Sequence, residues 1–310
     1  MYTKSLKIMK IGKFLLTGGL ITLSSLVFAQ QADYTFKVLA TKGANEVKSG
    51  DSWQALKTGA TLKEGDELKV SENCYVALMH NSGKPLEIKK SGPYTVKQLA
   101  STIQPGTSVL NKYADFILSS NSAEAKKNRL SATGAVHRGG EGIHVFLPEN
   151  QLASVFNNTV IINWEASKNG GPYLVALKNP FDDELMVKET NETNVQLDMN
   201  DPKFQNESVI LVEVRAKNDP SSKSEQKLIK RMSAAEHEKI KKDMAEFAGQ
   251  VSDETALNKF ILAGFYEQNK LLIDAITAYE QAIKLAPDVD SYKSDYEDFL
   301  IRNKLKTVKP

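Results

Sequence analysis

Between Tyr266 and Pro287 the chain reads YEQNKLLIDAITAYEQAIKLAP, and the spacing of small and aromatic residues here leaves little freedom in how it folds. Leu262 and Tyr266 stand four apart, and Ala275, Tyr279 and Ala282 recur at four and three, the interval of one helix face. Small Ala275 and Ala282 let two antiparallel helices approach closely, while Tyr266 and Tyr279 fill the space beside them. Pro287 stops the second helix, because it lacks an N–H and its ring collides with the preceding turn. One such pair cannot bury both of its faces, so flanking helices are expected over residues 233–248 and in SYKSDYEDFLIRNKL. Ser233 and Glu236 have the spacing of a reciprocal N-terminal cap.

The rest of the chain has a different rhythm. Residues 34–98 alternate short apolar runs with glycine turns, and Tyr34, Phe36 and Val38, then Tyr75, Ala77 and Leu78, suit strands with one buried face. Residues 120–142, rich in Ser, Ala, Lys and Gly, read as a linker or exposed loop. Strand-like runs resume at IHVFLP, TVIINW, GPYLVAL, DELMVKE, NVQLDM and SVILVEVRA, enough for a β-sandwich. Trp164 and Tyr173 are the candidate inward anchors of that sandwich, a ligand-binding aromatic pair being the alternative. From Asn218 a polar joint, DPSSKSEQ, leads into helical periodicity. The expected fold class is multidomain: two all-β domains, a small one at 31–119 and a sandwich at 143–218, followed by an all-α domain at 219–310.

Residues 1–30 carry Lys4, Lys7, Lys10 and Lys13 ahead of FLLTGGLITLSSLVF, an apolar run short for a bilayer span, with Ala29 near its end. That order reads as a cleaved secretory signal. It holds four lysines and no acid, so the formal +2 of the 310 residues becomes −2 without it. No attraction to nucleic acid is implied, and no other segment has the apolar length of a transmembrane helix. Cys74 is the single cysteine, which excludes an intramolecular disulfide and a thiolate metal cluster.

Three resemblances follow from these residues. Leu262, Tyr266, Ala275, Tyr279, Ala282 and Pro287 resemble the recurring positions of a tetratricopeptide repeat, with Ala263 where glycine is usual and Lys259 where tryptophan is frequent. That family implies peptide or protein binding on a concave face. Gly43, Trp53, Leu56, Gly59, Leu62, Gly65, Asp66, Leu68, Val76, Ala77, Leu78, Gly83 and Leu86 resemble the periplasmic domain of FecR-family proteins, whose glycines close tight turns. The spacing of Trp164 and Tyr173 is similar to that of fibronectin type III or immunoglobulin-like modules.

The residues of chemistry form no recognisable frame. His80, His137, His144 and His237 include no HExxH pair, HRGGEG lacks the lysine and hydroxyl of a phosphate loop, and no GxSxG turn occurs. No catalytic, cofactor-binding or metal residue is therefore expected, and no cofactor. The reading is a non-enzymatic exported adaptor of the bacterial cell envelope, an accessory subunit of an outer-membrane transport, secretion or motility assembly. It places the chain in the periplasm, at the inner face of the outer membrane, with secretion as the alternative and a protein partner in the envelope. A glycan- or peptidoglycan-binding module and a FecR-derived sensor are the rival readings.

Overall fold

The computed structural model describes residues 34–104, 106–132 and 142–306. The signal stretch and His137 lie outside them. Eight strands come first: β1 (Phe36–Lys42), β2 (Glu46–Ser49), β3 (Ser52–Ala55), β4 (Thr61–Leu62), β5 (Glu67–Val70), β6 (Tyr75–His80), β7 (Pro85–Ile88) and β8 (Gly92–Thr95). They form two antiparallel sheets, β4-β1-β6-β7 and β3-β2-β5-β8. Phe36, Val38, Leu62, Leu68, Val76, Leu78 and Ile88 are buried together in this module's core. Helix α1 (Val96–Ser101) starts at Thr95, whose hydroxyl accepts the Gln98 N–H at 3.2 Å.

Strand β6 differs from the one-faced strand that its sequence suggests. Val76 and Leu78 belong to the module's own core, whereas Tyr75, Ala77 and Met79 join the apolar cluster of the helices. Both faces of the strand are covered, which is why YVALMH is apolar almost throughout. In β1 a register irregularity between Val38 and Ala40 accompanies the same division, Phe36 and Val38 going to one core, Leu39 and Ala40 to the other.

Helix α2 (Val109–Ser120) follows, then α3 (Ala123–Ala132), which occupies much of the stretch expected as a linker. AEAKKNRLSA is rich in helix formers, and the Ser122 hydroxyl accepts the Ala125 N–H at 3.2 Å. The low apolar content that suggested a loop belongs to a helix instead.

The second β region comprises β9 (Ser154–Val155), β10 (Thr159–Asn163), β11 (Tyr173–Lys178), β12 (Glu184–Thr190), β13 (Asn194–Asp198), β14 (Val209–Ala216), β15 (Asp219–Lys223) and β16 (Lys227–Arg231). β10 pairs with β13, while the order β12-β11-β14-β16-β9 makes the second sheet, with β15 alongside β14. The pairings are antiparallel except β16 with β9. β15 and β16 fall where the sequence suggested a joint leading into helices. Ile229, opposite Ile210 and fully buried, fixes β16, but the basic residues around it mask the strand pattern.

Four α-helices end the described residues: α4 (Ala234–Ala245), α5 (Ala256–Gln268), α6 (Leu272–Leu285) and α7 (Asp290–Arg302). The reciprocal cap at α4 is present, with the Ser233 N–H donating to Glu236 at 3.0 Å and the Glu236 N–H to Ser233 at 3.3 Å. The layout is thus β-rich first and mostly helical at the C-terminal end. All the described residues belong to one compact unit.

Candidate functional site

Helices α5 and α6 turn back on each other through Lys270, which has a positive φ of 61°. Ala263, Ala275, Tyr279 and Ala282 are fully buried, Tyr266 is buried and Leu262 half-buried, whereas Pro287 is exposed just beyond the end of α6. The Tyr279 ring meets those of Phe260, Tyr296 and Phe299 at centroid distances of 5.9, 5.5 and 5.1 Å, so α7 closes over the pair. On its other side α5 packs against α2. A Cβ at Gly264 would stand 2.7 Å from Ile117 Cδ1 and 3.2 Å from the Tyr113 carbonyl oxygen, so glycine sets how closely the two helices approach. The repeat spacing points to the small residue at 263, whereas the neighbouring glycine serves α2, a helix outside the repeat.

Three polar residues of α6, Asp274, Thr277 and Glu280, face residues 156–163, which lead into and form β10. Asp274 accepts the N–H groups of Phe156 at 2.9 Å and Asn157 at 2.8 Å, and the Asn157 side-chain amide at 2.8 Å. One turn on, the Thr277 hydroxyl accepts the Ile161 N–H at 2.9 Å and donates to the Ile273 carbonyl at 3.0 Å. Further along, Glu280 and the Tyr296 hydroxyl each lie 2.6 Å from the Asn163 amide nitrogen. β10 pairs with β13 on one side only, and the isolated bridge from Val145 reaches it at Trp164. Its remaining edge would expose unpaired N–H groups, an invitation to further strands. Thr277 of α6 takes the Ile161 N–H of that edge, and Ile273 reaches into the sandwich core.

This arrangement shifts the acids concerned. Burial pushes the Asp274 carboxyl up to about 6, although the N–H groups of Phe156 and Asn157 pull it back. Burial also raises Glu280, offset by the hydrogen bonds from Asn163 and Tyr296. Asp274 is 1% exposed, which leaves no path for a substrate. Its chemistry is that of a fixed acceptor at a joint.

Two further clamps tie the helices to the first module and to each other. Glu87 on β7 accepts the Tyr75 hydroxyl at 2.6 Å and the Leu257 N–H at 2.8 Å, capping α5 from another part of the chain. The Tyr75 and Tyr292 hydroxyls are 2.8 Å apart, and burial raises both phenols far above their ordinary range. At the opposite end of α5, Glu267 receives Nε and Nη2 of Arg302, each at 2.6 Å, with Asn303 adding a donor at 2.7 Å. Arg302 also reaches Asn121 at 2.8 Å and the Tyr279 hydroxyl at 3.3 Å. Desolvation works against its charge, but the bonds to Glu267 and the carboxylate's field hold the guanidinium above its ordinary value. Nearby, burial raises Asp295 to about 7, against the attraction of Lys126 and Arg302.

The other residues singled out from the sequence fall into separate places. Gly43, Gly59 and Gly83 have positive φ values of 96°, 84° and 84° at turns, and a Cβ at Gly83 would collide with the Thr107 carbonyl. Gly65 adjoins buried Asp66, which accepts the Ser49 hydroxyl and the Lys63 N–H, each at 2.8 Å. Trp53 is 42% exposed on edge strand β3, so it is a surface residue and not part of the core. Short SWQA alternates like a half-buried strand, yet its four residues are all exposed. Trp164 and Tyr173 are both buried and meet edge to face at 5.5 Å. Tyr173 is thus withdrawn from the surface that a glycan-binding pair would need.

A half-open groove of about 290 Å³ lies between α2, α4 and α5. Lys112, Asp243, Glu246, Gln268 and Asn269 line much of it, unlike the apolar walls typical of small-molecule sites. Among the described residues no three His, Cys, Asp or Glu side chains are grouped to hold a metal, and no helix is long and apolar enough to cross a membrane. No protein-family model matches the chain, and no curated protein is significantly similar to it.

Proposed function

We propose that the chain is a non-enzymatic exported adaptor of the bacterial cell envelope, an accessory subunit of an outer-membrane transport, secretion or motility assembly. Its compartment in this reading is the periplasm, at the inner face of the outer membrane. The observation that carries the proposal is the use made of α6. Asp274, Thr277 and Glu280 bond to residues 156–163, so this face of the helix braces the chain's own β region. Together with the bond from Leu257 of α5 to Glu87 on β7, this brace holds two β modules against the same helices, which is what an adaptor needs in order to present separate surfaces to different proteins.

The finer fold readings belong to the same proposal. The strand order β12-β11-β14-β16-β9 sharing a core with β10-β13, with Trp164 just beyond β10 and Tyr173 opening β11, supports a fibronectin type III-like sandwich. The positive-φ turns at Gly43, Gly59 and Gly83 support a FecR-like first module, and the burial of Ala263, Ala275 and Ala282 supports a tetratricopeptide-like pair.

Affinity purification of the tagged chain from native envelopes, solubilised in several mild detergents, tests the adaptor reading. The expected result is co-recovery of one envelope protein in fixed proportion, with elution well above the monomer. Recovery of the monomer alone in every detergent would count against it.

A further inference from the structure

The most exposed large apolar side chain among the described residues lies at the tip of the β11–β12 hairpin. Phe181 is 87% exposed. Isolated surface apolar residues are common, but they usually lie along the surface or sit on mobile loops. This one stands on a turn that is pinned throughout. Asn179 Oδ1 accepts the N–H groups of Phe181 and Asp183, both at 2.9 Å, and its amide donates to Asp183 Oδ2 at 2.9 Å. The backbone closes the loop twice, from Asn179 N to the Asp183 carbonyl and from Asp182 N to the Asn179 carbonyl, each at 3.0 Å. Pro180 fixes the dihedral just before Phe181, and Lys178 holds Asp182 at 2.8 Å.

A turn whose backbone is held by so many bonds presents Phe181 from a fixed position, which lowers the entropy cost of docking. Its surroundings state what it would meet. Asp182, Asp183 and Glu184 follow it directly, three carboxylates in a turn with one ammonium, that of Lys178, which is itself paired with Asp182. The hydrogen bond and charge of Lys178 hold the Asp182 carboxyl below its ordinary value, so this collar stays negative. An anionic lipid surface would be repelled by it, whereas an apolar pocket rimmed with Lys and Arg would be matched in both shape and charge.

We propose that the 179–184 turn is a protein-docking knob, with Phe181 entering an apolar pocket on a partner protein and Asp183 and Glu184 meeting basic residues at its rim. This rests on the adaptor reading only in requiring that a protein partner exists. The two fail separately, since loss of every partner overturns that reading, while a partner bound equally well without Phe181 overturns this one.

The test uses the full chain in its native host, with a benzophenone photo-crosslinking residue at position 181 and, as control, at Glu192. Irradiation of position 181 is expected to give one discrete protein adduct, absent for Glu192, whose crosslinked peptide maps to apolar residues flanked by Lys or Arg. In chains purified with the identified partner, Phe181→Ser is expected to weaken binding about tenfold or more, and Asp183→Lys with Glu184→Lys to weaken it comparably. Thermal unfolding of Phe181→Ser should match the parent, because the side chain buries almost nothing. An adduct of two copies of this chain, a lipid adduct, no adduct, or binding unchanged by either variant would overturn the proposal. So would co-sedimentation with phosphatidylethanolamine–phosphatidylglycerol vesicles that Phe181→Ser abolishes.

Discussion

Arg302→Leu is expected to lower folding stability by about 3–5 kcal/mol, the characteristic penalty for stranding one member of a buried ion pair. Glu267 and Arg302 are only 4% and 11% exposed at their side chains, and the guanidinium satisfies both carboxylate oxygens. Removing it leaves Asn303 as the remaining donor to an enclosed anion and withdraws a partner from Asn121 and Tyr279. The double variant Arg302→Leu with Glu267→Leu should recover much of the loss, because the cost lies in the unpaired charge more than in the absent attraction. Urea denaturation of the three chains checks this. A single-variant loss under about 1 kcal/mol would mean that the pair is hydrated and does not fasten α5 to α7.

The second large effect is a dependence on pH. Asp274 has a carboxyl raised from 3.8 to about 6 in the folded chain, so between those values the folded state holds a proton that the unfolded state has lost. The resulting stabilisation is complete below the unfolded value and disappears as the pH rises through about 6. The gap corresponds to about 3 kcal/mol. Asp295, raised to about 7, acts in the same direction. His80, whose pKa burial lowers, acts in the opposite sense and is common to parent and variant. Stability measured by urea denaturation from about pH 8 down to about pH 5 should therefore rise more in the parent than in Asp274→Asn. The asparagine variant retains one acceptor oxygen but cannot titrate. Asp274→Ala should be worse at every pH, leaving the Phe156 and Asn157 N–H groups without their acceptor at about 1–3 kcal/mol each. Identical pH profiles for the parent and Asp274→Asn would refute the assignment.

The two kinds of residue in the helical pair were not equally legible in the sequence. Ala275, Tyr279 and Ala282 announce their burial because helix packing is a local matter of period and volume. Asp274, Thr277 and Glu280 share the same helix and would ordinarily be assigned to its wet face. Their role depends on residues 156–163, more than a hundred positions earlier, and no local period encodes such a pairing. Glu87 is hidden in the same way, since its partner Leu257 belongs to a helix far along the chain. β6 was misleading for a related reason: Tyr75, Ala77 and Met79 are apolar because helices cover them, so the strand has two buried faces. Trp53 erred in the opposite direction, an aromatic in a strand that the fold leaves at an edge. Volume and period were readable, whereas the long-range polar partners that join the modules required the three-dimensional arrangement.

The central claim is that the helices and the sandwich are one mechanical piece, braced by α6 along β10. It is tested most directly by unfolding the Trp53→Phe chain while following two signals. Trp164 is then the single tryptophan and reports on the sandwich core, and far-ultraviolet ellipticity reports chiefly on the helices. The account predicts coincident transitions with one midpoint. Two separated midpoints, with the helices melting while Trp164 stays buried, would contradict it.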